Sequence, residues 1–497
     1  MTSERIRAGI FALVLTSLTA CGGGGGGAKS LPASASQPAN PAGAAPAPGS
    51  SPTAAPGAPN PAAANGPTLY VSASGSDRNA GSFSAPLATL VQAARDAQPG
   101  TTIVVRGGTY APSDTIRIQT NGSSSAHVVF KPYAGEHVVF TGSNLSGGDL
   151  IDISGSYIDF ADFELRNSPS TALHVTGASH VTISGVTIHD SQEAAFQAGQ
   201  SDNFSDAQDV VFQNGTVYRN GLVNSGRDGQ PWPAIVRAFG ASNVQFLNNT
   251  VYDNYGEGVD FILCKGGVAS GNTIHDNFGA EVYLDNASNI RVEKNFIYEN
   301  DPGYYKTISG VGPTPATGIS IANEPYGLQN IGHDDLIDDN IVIGGNSSFY
   351  YGDFGNGGGL VNDTIANNDF FQPSGRYPTI AIEASSLHRN TLIANNIFAQ
   401  GDSSGQNAGV STTAGLTFEH NLWYGGSAGN AAGSGDVAGR DPHFAQAGIS
   451  AGPAGFALAA GSPAVDAGTT VPAVTSDWLG NSRPLGPAYD IGAFEYP

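Results

Sequence analysis

The sequence predicts an all-β fold, a single-stranded right-handed parallel β-helix with a short N-terminal capping helix and a C-terminal cap. Three observations predict it. An Asn recurs inside a recurring phrase: Asn249, Asn272 and Asn295 lie 23 residues apart, and later copies at Asn340, Asn368, Asn396 and Asn421 follow at spacings of 45, 28, 28 and 25. Each copy alternates apolar and polar residues over short β-branched stretches such as Val244-Gln245-Phe246, the period of strands. Finally, Gly is 68 of 497 residues while charged residues are only 12%, which disfavours helical solenoids and coiled coils. Three short strands and tight turns per copy make one rung, rungs stack ~4.8 Å apart, and the repeated Asn stacks as an amide ladder.

The elements follow in order. Residues 1–20 read as a leader: Arg5 and Arg7 precede the apolar run Ala8 to Ala20, which is too short to span a bilayer stably. It ends Leu18-Thr19-Ala20-Cys21, which resembles the lipobox of bacterial lipoproteins. The resemblance implies cleavage before Cys21, lipidation of that residue and a membrane anchor. Gly22 after the cysteine points to the outer membrane, so the expected location is an anchored lipoprotein, periplasmic or at the cell surface. Residues 21–67 are almost entirely Gly, Ala, Pro, Ser and Asn and read as a disordered tether. Residues 68–110 form the N-terminal cap: strand Leu69 to Ser72, a helix within Pro86 to Gln98, and strand Ile103 to Val105. Residues 111–436 are the rungs, with an earlier, looser copy at Val181 to Asp190, and residues 437–497 are the capping tail. Cys264 stands apart from Cys21 as an inert thiol, so no disulfide framework exists.

The cap phrases Tyr70-Val71-Ser72-Ala73-Ser74-Gly75-Ser76-Asp77, Ala85 to Leu90, Pro99 to Ile103 and Arg106-Gly107-Gly108-Thr109-Tyr110 resemble the N-terminal cap of pectate-lyase-like β-helix proteins, among them family 9 polysaccharide lyases. The resemblance implies the pectin-lyase-like solenoid and a polysaccharide or oligosaccharide partner. In that family an outward run Asp-Asp-Gly-x-Asp binds calcium, and a lysine in a Gly-x-x-Lys-like strand is catalytic. Here the runs read Gly256-Glu257-Gly258-Val259-Asp260 and Gly279-Ala280-Glu281-Val282-Tyr283, with one acid fewer and no lysine. The tail motifs around Asp441-Pro442, Gly461 to Gly468 and Asp490 to Tyr496 resemble a C-terminal tail of extracellular bacterial β-helix proteins.

Strand parity selects the candidate site. With Val236, Val259, Phe261, Val282 and Leu284 inward, Arg237, Asp260, Tyr283 and Ser320 form one outward row on successive rungs, flanked by Glu281 and Asp285. Two long loops, Asn220 to Pro233 and Asp301 to Pro315, frame the row as cleft walls and carry Trp232, Tyr304 and Tyr305, aromatic faces suited to sugar rings. Asp260 with Glu281 or Asp285 is a carboxylate pair for acid–base work. Arg237 and Lys265 are the cations that a β-elimination would need. Asp253 and Asp276, which share a turn position with Glu299 beside the Asn254, Asn277 and Asn300 ladder, form with Glu257 the candidate metal ligands, calcium being the candidate cofactor. The formal net charge of −22 argues against nucleic-acid binding, and a monomer is expected. The leading expectation is a surface-anchored carbohydrate-active protein cleaving a polysaccharide by β-elimination. The alternatives are a glycoside hydrolase on the same fold and a non-catalytic glycan-binding or structural lipoprotein.

Overall fold

The computed structural model describes residues 66–200, 206–229, 231–325, 331–354, 358–402 and 405–497; the leader, Cys21 and nearly all of the tether lie outside these. Among the described residues, three long sheets run the length of the molecule. The first has 13 strands, from Thr68–Val71 to Leu416–Glu419, the second 11, from Ile116–Ile118 to Ala408–Val410, and the third 13, from Gly108–Tyr110 to Val437–Ala438. Neighbours within each are parallel and one rung apart. A representative rung is Glu257–Ile262 in the second sheet, Lys265–Ser270 in the first and Thr273–His275 in the third. The fold is a parallel β-helix.

The capping helix is shorter than its apolar spacing predicts. It spans Leu90–Asp96 behind Thr89, whose hydroxyl accepts the Gln92 N–H. Leu87 instead bridges Val71 as an extended residue, its N–H donating to Tyr70 O and its carbonyl accepting from Ser72 N, so it serves as an edge partner for the first strand.

Inward residues stack by type. Val236, Val259, Val282 and Ile319 occupy one register column, and Ala238, Phe261, Leu284 and Ile321 another, all buried. Turns are built on left-handed residues: Asn248 has φ 54°, and Gly271 has φ 68° where an added Cβ would lie 2.5 Å from Asn248 Oδ1. Asn and Gly tolerate this region best, which is why the chain is rich in both.

The Asn ladder is continuous from Asn249 to Asn421. Each side-chain carbonyl accepts the backbone and side-chain N–H groups of the preceding Asn, as Asn272 Oδ1 does from Asn249 at 2.9 and 3.0 Å. Asn272 Nδ2 donates in turn to Phe246 O and Asn295 Oδ1 at 2.9 Å each. Asn272→Ala therefore strands a buried N–H and a buried carbonyl and should cost about 2–5 kcal/mol, read as a lower urea midpoint with unchanged slope.

The tail does not simply close the end. The turn Gly429–Ala431 covers the last rung with Ala431 in the core. Residues beyond 440 run back along the flank of the third sheet: Phe456, Ala493 and Phe494 pack on Phe296, Ile341 and Ile343, and Arg483 pairs with Asp339 at 2.7 Å. Asp490 accepts the Asp466 and Tyr496 N–H groups at 2.7 and 2.5 Å, a backbone-holding role.

Candidate functional site

The outer face of the second sheet carries the predicted row. Arg237 registers with Asp260, Asp260 with Tyr283, and Tyr283 with Ser320. Their neighbours Val259, Phe261, Val282 and Leu284 fill the core, so these side chains leave the opposite face of each strand. The face is covered, however: Asp260 is 0%, Tyr283 3% and Ser320 4% exposed. Tyr283 donates to Glu324 Oε1 at 3.1 Å and packs with Ala280, Ala322 and Phe354. Asp285 lies at the far end of its strand, opposite Ala322 and beside the turn where Asn286 accepts the Glu324 N–H at 2.6 Å.

The two loops do not stand apart as cleft walls but clasp each other. Arg227 Nη1 donates to Pro302 O and Gly303 O at 3.1 and 2.8 Å, and Thr307 N donates back to Arg227 O at 2.8 Å. Trp232, expected on a groove wall, is 5% exposed. It packs edge-on against Phe278 at 4.8 Å and lies over Gly279, where an added Cβ would meet the indole at 2.6 Å. Only glycine leaves room for that seat.

The clasp delivers a residue that strand-based reading missed. Lys306 starts the hairpin Lys306–Ile308 with Gly312–Thr314, and its Nζ lies 4.2 Å from the Trp232 ring. Burial lowers its pKa to about 8, opposed by the charge of Glu257. Glu257 opens the strand Glu257–Ile262 three residues before Asp260, so Lys306 reaches the start of the strand that carries Asp260. Its signal in the sequence was slight: one lysine in a loop, between Tyr305 and Thr307, in a chain poor in lysine. Lys265, the lysine that strand order had singled out, is exposed at the start of a first-sheet strand, opposite Ser242 and Ser288.

Glu281 also departs from its expected place beside Asp260. It enters the turn and accepts Asn277 N and Nδ2 at 2.8 and 2.5 Å, taking the position above Asn277 where Asn300 was expected. Asn300 is exposed and donates its N–H to Asp276. The second amide ladder therefore runs Asn220, Asn254, Asn277 and ends on Glu281. Glu281 abuts Glu299, so the carboxyl pair in this structure is Glu281–Glu299. Burial raises Glu281 to about 7, and burial together with the Glu281 charge raises Glu299. Tyr305 lies beside Glu299 and opposes part of that rise, and Tyr304 rests on Tyr255 at 5.2 Å.

These acids fix a stability trend. A carboxyl raised in the folded state holds a proton that the unfolded chain has released. Its stabilisation is full below the unfolded value, about 4.5, and is lost as pH rises through about 7. The melting temperature should fall across that window. In Glu299→Gln, whose amide can donate to Glu281 at every pH, a flatter profile is expected; an unchanged slope would assign the effect elsewhere.

The metal candidates separate. Asp253 and Asp276 come together with His275, ligand atoms within 4.8 Å of one another, whereas Glu257 faces Lys306. Burial and Asp276 raise Asp253 to about 6. Asp276 Oδ1 accepts Asn300 N and Asp301 N at 2.6 Å each, and Oδ2 meets His275 Nδ1 at 2.8 Å, which leaves this carboxylate turned to its own turn. His275 itself is stacked between Tyr252 and Tyr298 at 5.1 and 4.3 Å. At the run Gly256 to Asp260 the acids have cations as neighbours, Lys306 by Glu257 and Arg237 by Asp260. Neither donor set fits calcium, which needs six to eight oxygens converging on one point. Cys264 is buried, its thiol pushed up to about 12 by burial.

Comparisons with known proteins agree with this architecture. Residues 69–290 match the family model described as a Pel9A-like, right handed beta helix region. Pectate lyase PEL9 of Emericella nidulans is 35% identical over 150 residues, covering 27% of this chain and 36% of that lyase, so the chain spans well under half the length of this relative. The uncharacterized protein YwoF of Bacillus subtilis is 26% identical over 384 residues, covering 68% of this chain and 76% of its own. Among solved structures, pectate lyase Pel9A superposes with a TM-score of 0.53 at 19% identity, covering 87% of this chain and 97% of its own. A complex of XylC with xylose superposes with a TM-score of 0.55 at 13% identity, covering 86% and 98%. At these identities the two structures speak to the fold alone.

Proposed function

We propose, from the premise of a pectate-lyase-like carbohydrate-active β-helix, that this chain cleaves an acidic polysaccharide by β-elimination at the outer face of the second sheet. The observation that carries the reading is Lys306: an ammonium held over Trp232, beside Glu257 at the start of the strand that bears Asp260. An amine with pKa about 8 is partly neutral near neutral pH and can accept a proton. In the elimination, the base removes the proton on the carbon next to the uronate carboxylate. The electron pair forms the new carbon–carbon double bond, and the glycosidic oxygen leaves from the adjacent carbon and takes a proton from water. Arg237 offsets the charge that builds on the carboxylate. Asp260, beside Arg237, positions that guanidinium. The unsaturated sugar absorbs in the ultraviolet, which is the test. The full chain incubated with polygalacturonate and a neutral polysaccharide should give new absorbance with the former only. Reducing ends without absorbance would favour the hydrolase reading, and binding without either product the non-catalytic one.

Attachment to the membrane through lipidated Cys21, with the tether holding the β-helix away from the surface, completes the proposal. Cys21→Ser should move the chain from the membrane to the soluble fraction; identical distribution of the two forms would remove the anchor.

A further inference from the structure

The row that carries Arg237 and Asp260 does not begin there. Register continues it towards the N-terminal cap: Arg237 opposes Gln197, Gln197 opposes His174, His174 opposes Asp152, and Asp152 opposes Arg117. At ~4.8 Å per rung, the five steps from Asp260 to Arg117 span about 24 Å. The intermediate members are polar and held in place. Arg237 Nε donates to Gln197 Oε1 at 2.7 Å, Gln197 Nε2 donates to Gly199 O at 2.6 Å, and Thr176 donates to Asp152 Oδ1 at 2.8 Å.

Arg117 opens into a groove of about 980 Å³ between the capping helix and the first rung. Arg95, from the last turn of Leu90–Asp96, lines the same groove, as do Tyr110, Thr115 and Gln119. Both arginines are exposed, and among the described residues neither is ion-paired. Asp114 is the acid on the lining, so the groove carries a net positive charge in a chain with 20 Lys and Arg against 42 Asp and Glu. Most other described arginines on this molecule are tied to a carboxylate or another loop, as Arg106 is to Glu136 and Arg219 to Asp190.

We propose that this groove is a distal binding subsite for the acidic polysaccharide, taking a uronate-bearing segment of the same chain whose cleaved bond lies at Arg237 and Asp260. The idea rests on the cleavage site proposed above, and it adds a substrate class: polymer long enough to cover five rungs. Two guanidiniums offer carboxylates charge-assisted, planar contacts. Tyr110, half-buried with its hydroxyl donating to Arg106 O at 2.8 Å, supplies a fixed aromatic edge. Between the two sites His174 and Gln197 are buried and bonded within the protein, so the intervening sugars would pass over them, with half-buried Asp152 the member of the row open to contact.

Binding is measured by calorimetry on the full chain carrying Lys306→Met, so that fragments are not consumed. The probes are a tetrameric and a dodecameric oligogalacturonate at two salt concentrations. The dodecamer should bind about tenfold more tightly, in line with two exposed charge-assisted contacts. The pair Arg95→Gln and Arg117→Gln should bring it to the tetramer's affinity and remove most of the salt dependence. Arg117→Lys, which keeps the charge, should retain most of the gain. Equal affinity for the two lengths, no binding of either, or a length effect untouched by the arginine substitutions overturns the subsite. The cleavage reading is scored separately on the unsubstituted chain. Arginine-dependent binding of the dodecamer with no unsaturated product keeps the subsite and sinks the cleavage. Product formation with KM for the dodecamer unchanged by the arginine substitutions does the reverse.

Discussion

Lys306→Met should lower kcat on an acidic polysaccharide by roughly 10²- to 10⁴-fold, the range that a positioned base contributes. Methionine keeps an unbranched stem over Trp232, so the clasp between the loops, which runs through Arg227, Pro302, Gly303 and Thr307, is preserved. The pH profile separates a base from a structural lysine. With the pKa lowered to about 8, the rate should climb as pH rises through that value, and the residual rate of the Met variant should lack this limb. Stability reports on the same group. Folding disfavours the charged ammonium, and that penalty is full below about 8 and fades as pH rises from 8 towards the unfolded value of 10.5. The unsubstituted chain should therefore gain stability across that window, and Lys306→Met should not. Full activity in Lys306→Met would end the β-elimination proposal in this form.

Phe261→Asp should prevent folding of the central rungs. Phe261 is fully buried, 5.1 Å from Phe246, and aligned between Ala238 and Leu284. Its ring occupies the space that Gly267 leaves, where an added Cβ would lie 2.8 Å from a ring carbon. The substitution removes an aromatic side chain and places a carboxylate where nothing can solvate it. Each effect is worth about 3 kcal/mol or more, against a typical total stability of 5–15 kcal/mol. Asp260→Asn, one residue away on the opposite face, should leave the melting temperature within a few degrees while abolishing turnover. Circular dichroism and thermal melts of the two variants decide it. If Phe261→Asp melts like the unsubstituted chain, the strand does not face as described.

How far the site could be read beforehand follows from what each residue depends on. Arg237, Asp260 and Tyr283 depend only on strand alternation and a 23-residue rung, both local properties of the chain, and Ser320 follows 37 residues on by the same alternation once the loop 301–315 is set aside. Glu281 shares that alternation by sequence, but a turn with an open amide-ladder position drew it away. Two buried N–H donors of Asn277 needed an acceptor, and a carboxylate four residues on could reach them. The metal candidates divide for a similar reason. Asp253, Asp276 and Glu257 lie close in sequence, yet one turn points two of them at His275 and the strand start points the third at Lys306.

The sequence by itself determined the repeat, the Asn ladder, the inward and outward faces of each strand and the N-terminal cap. These rest on periodicity and on residues that act within a rung or on the next one, where a fixed ~4.8 Å spacing leaves no freedom. Only the tertiary structure decided what covers the outer face. The clasp of the loops 220–233 and 301–315, the burial of Trp232 under Lys306 and the return of the tail along the third sheet join residues separated by many rungs. Such contacts follow from loop paths and side-chain packing across the whole solenoid, and loops carry no period from which those paths could be read.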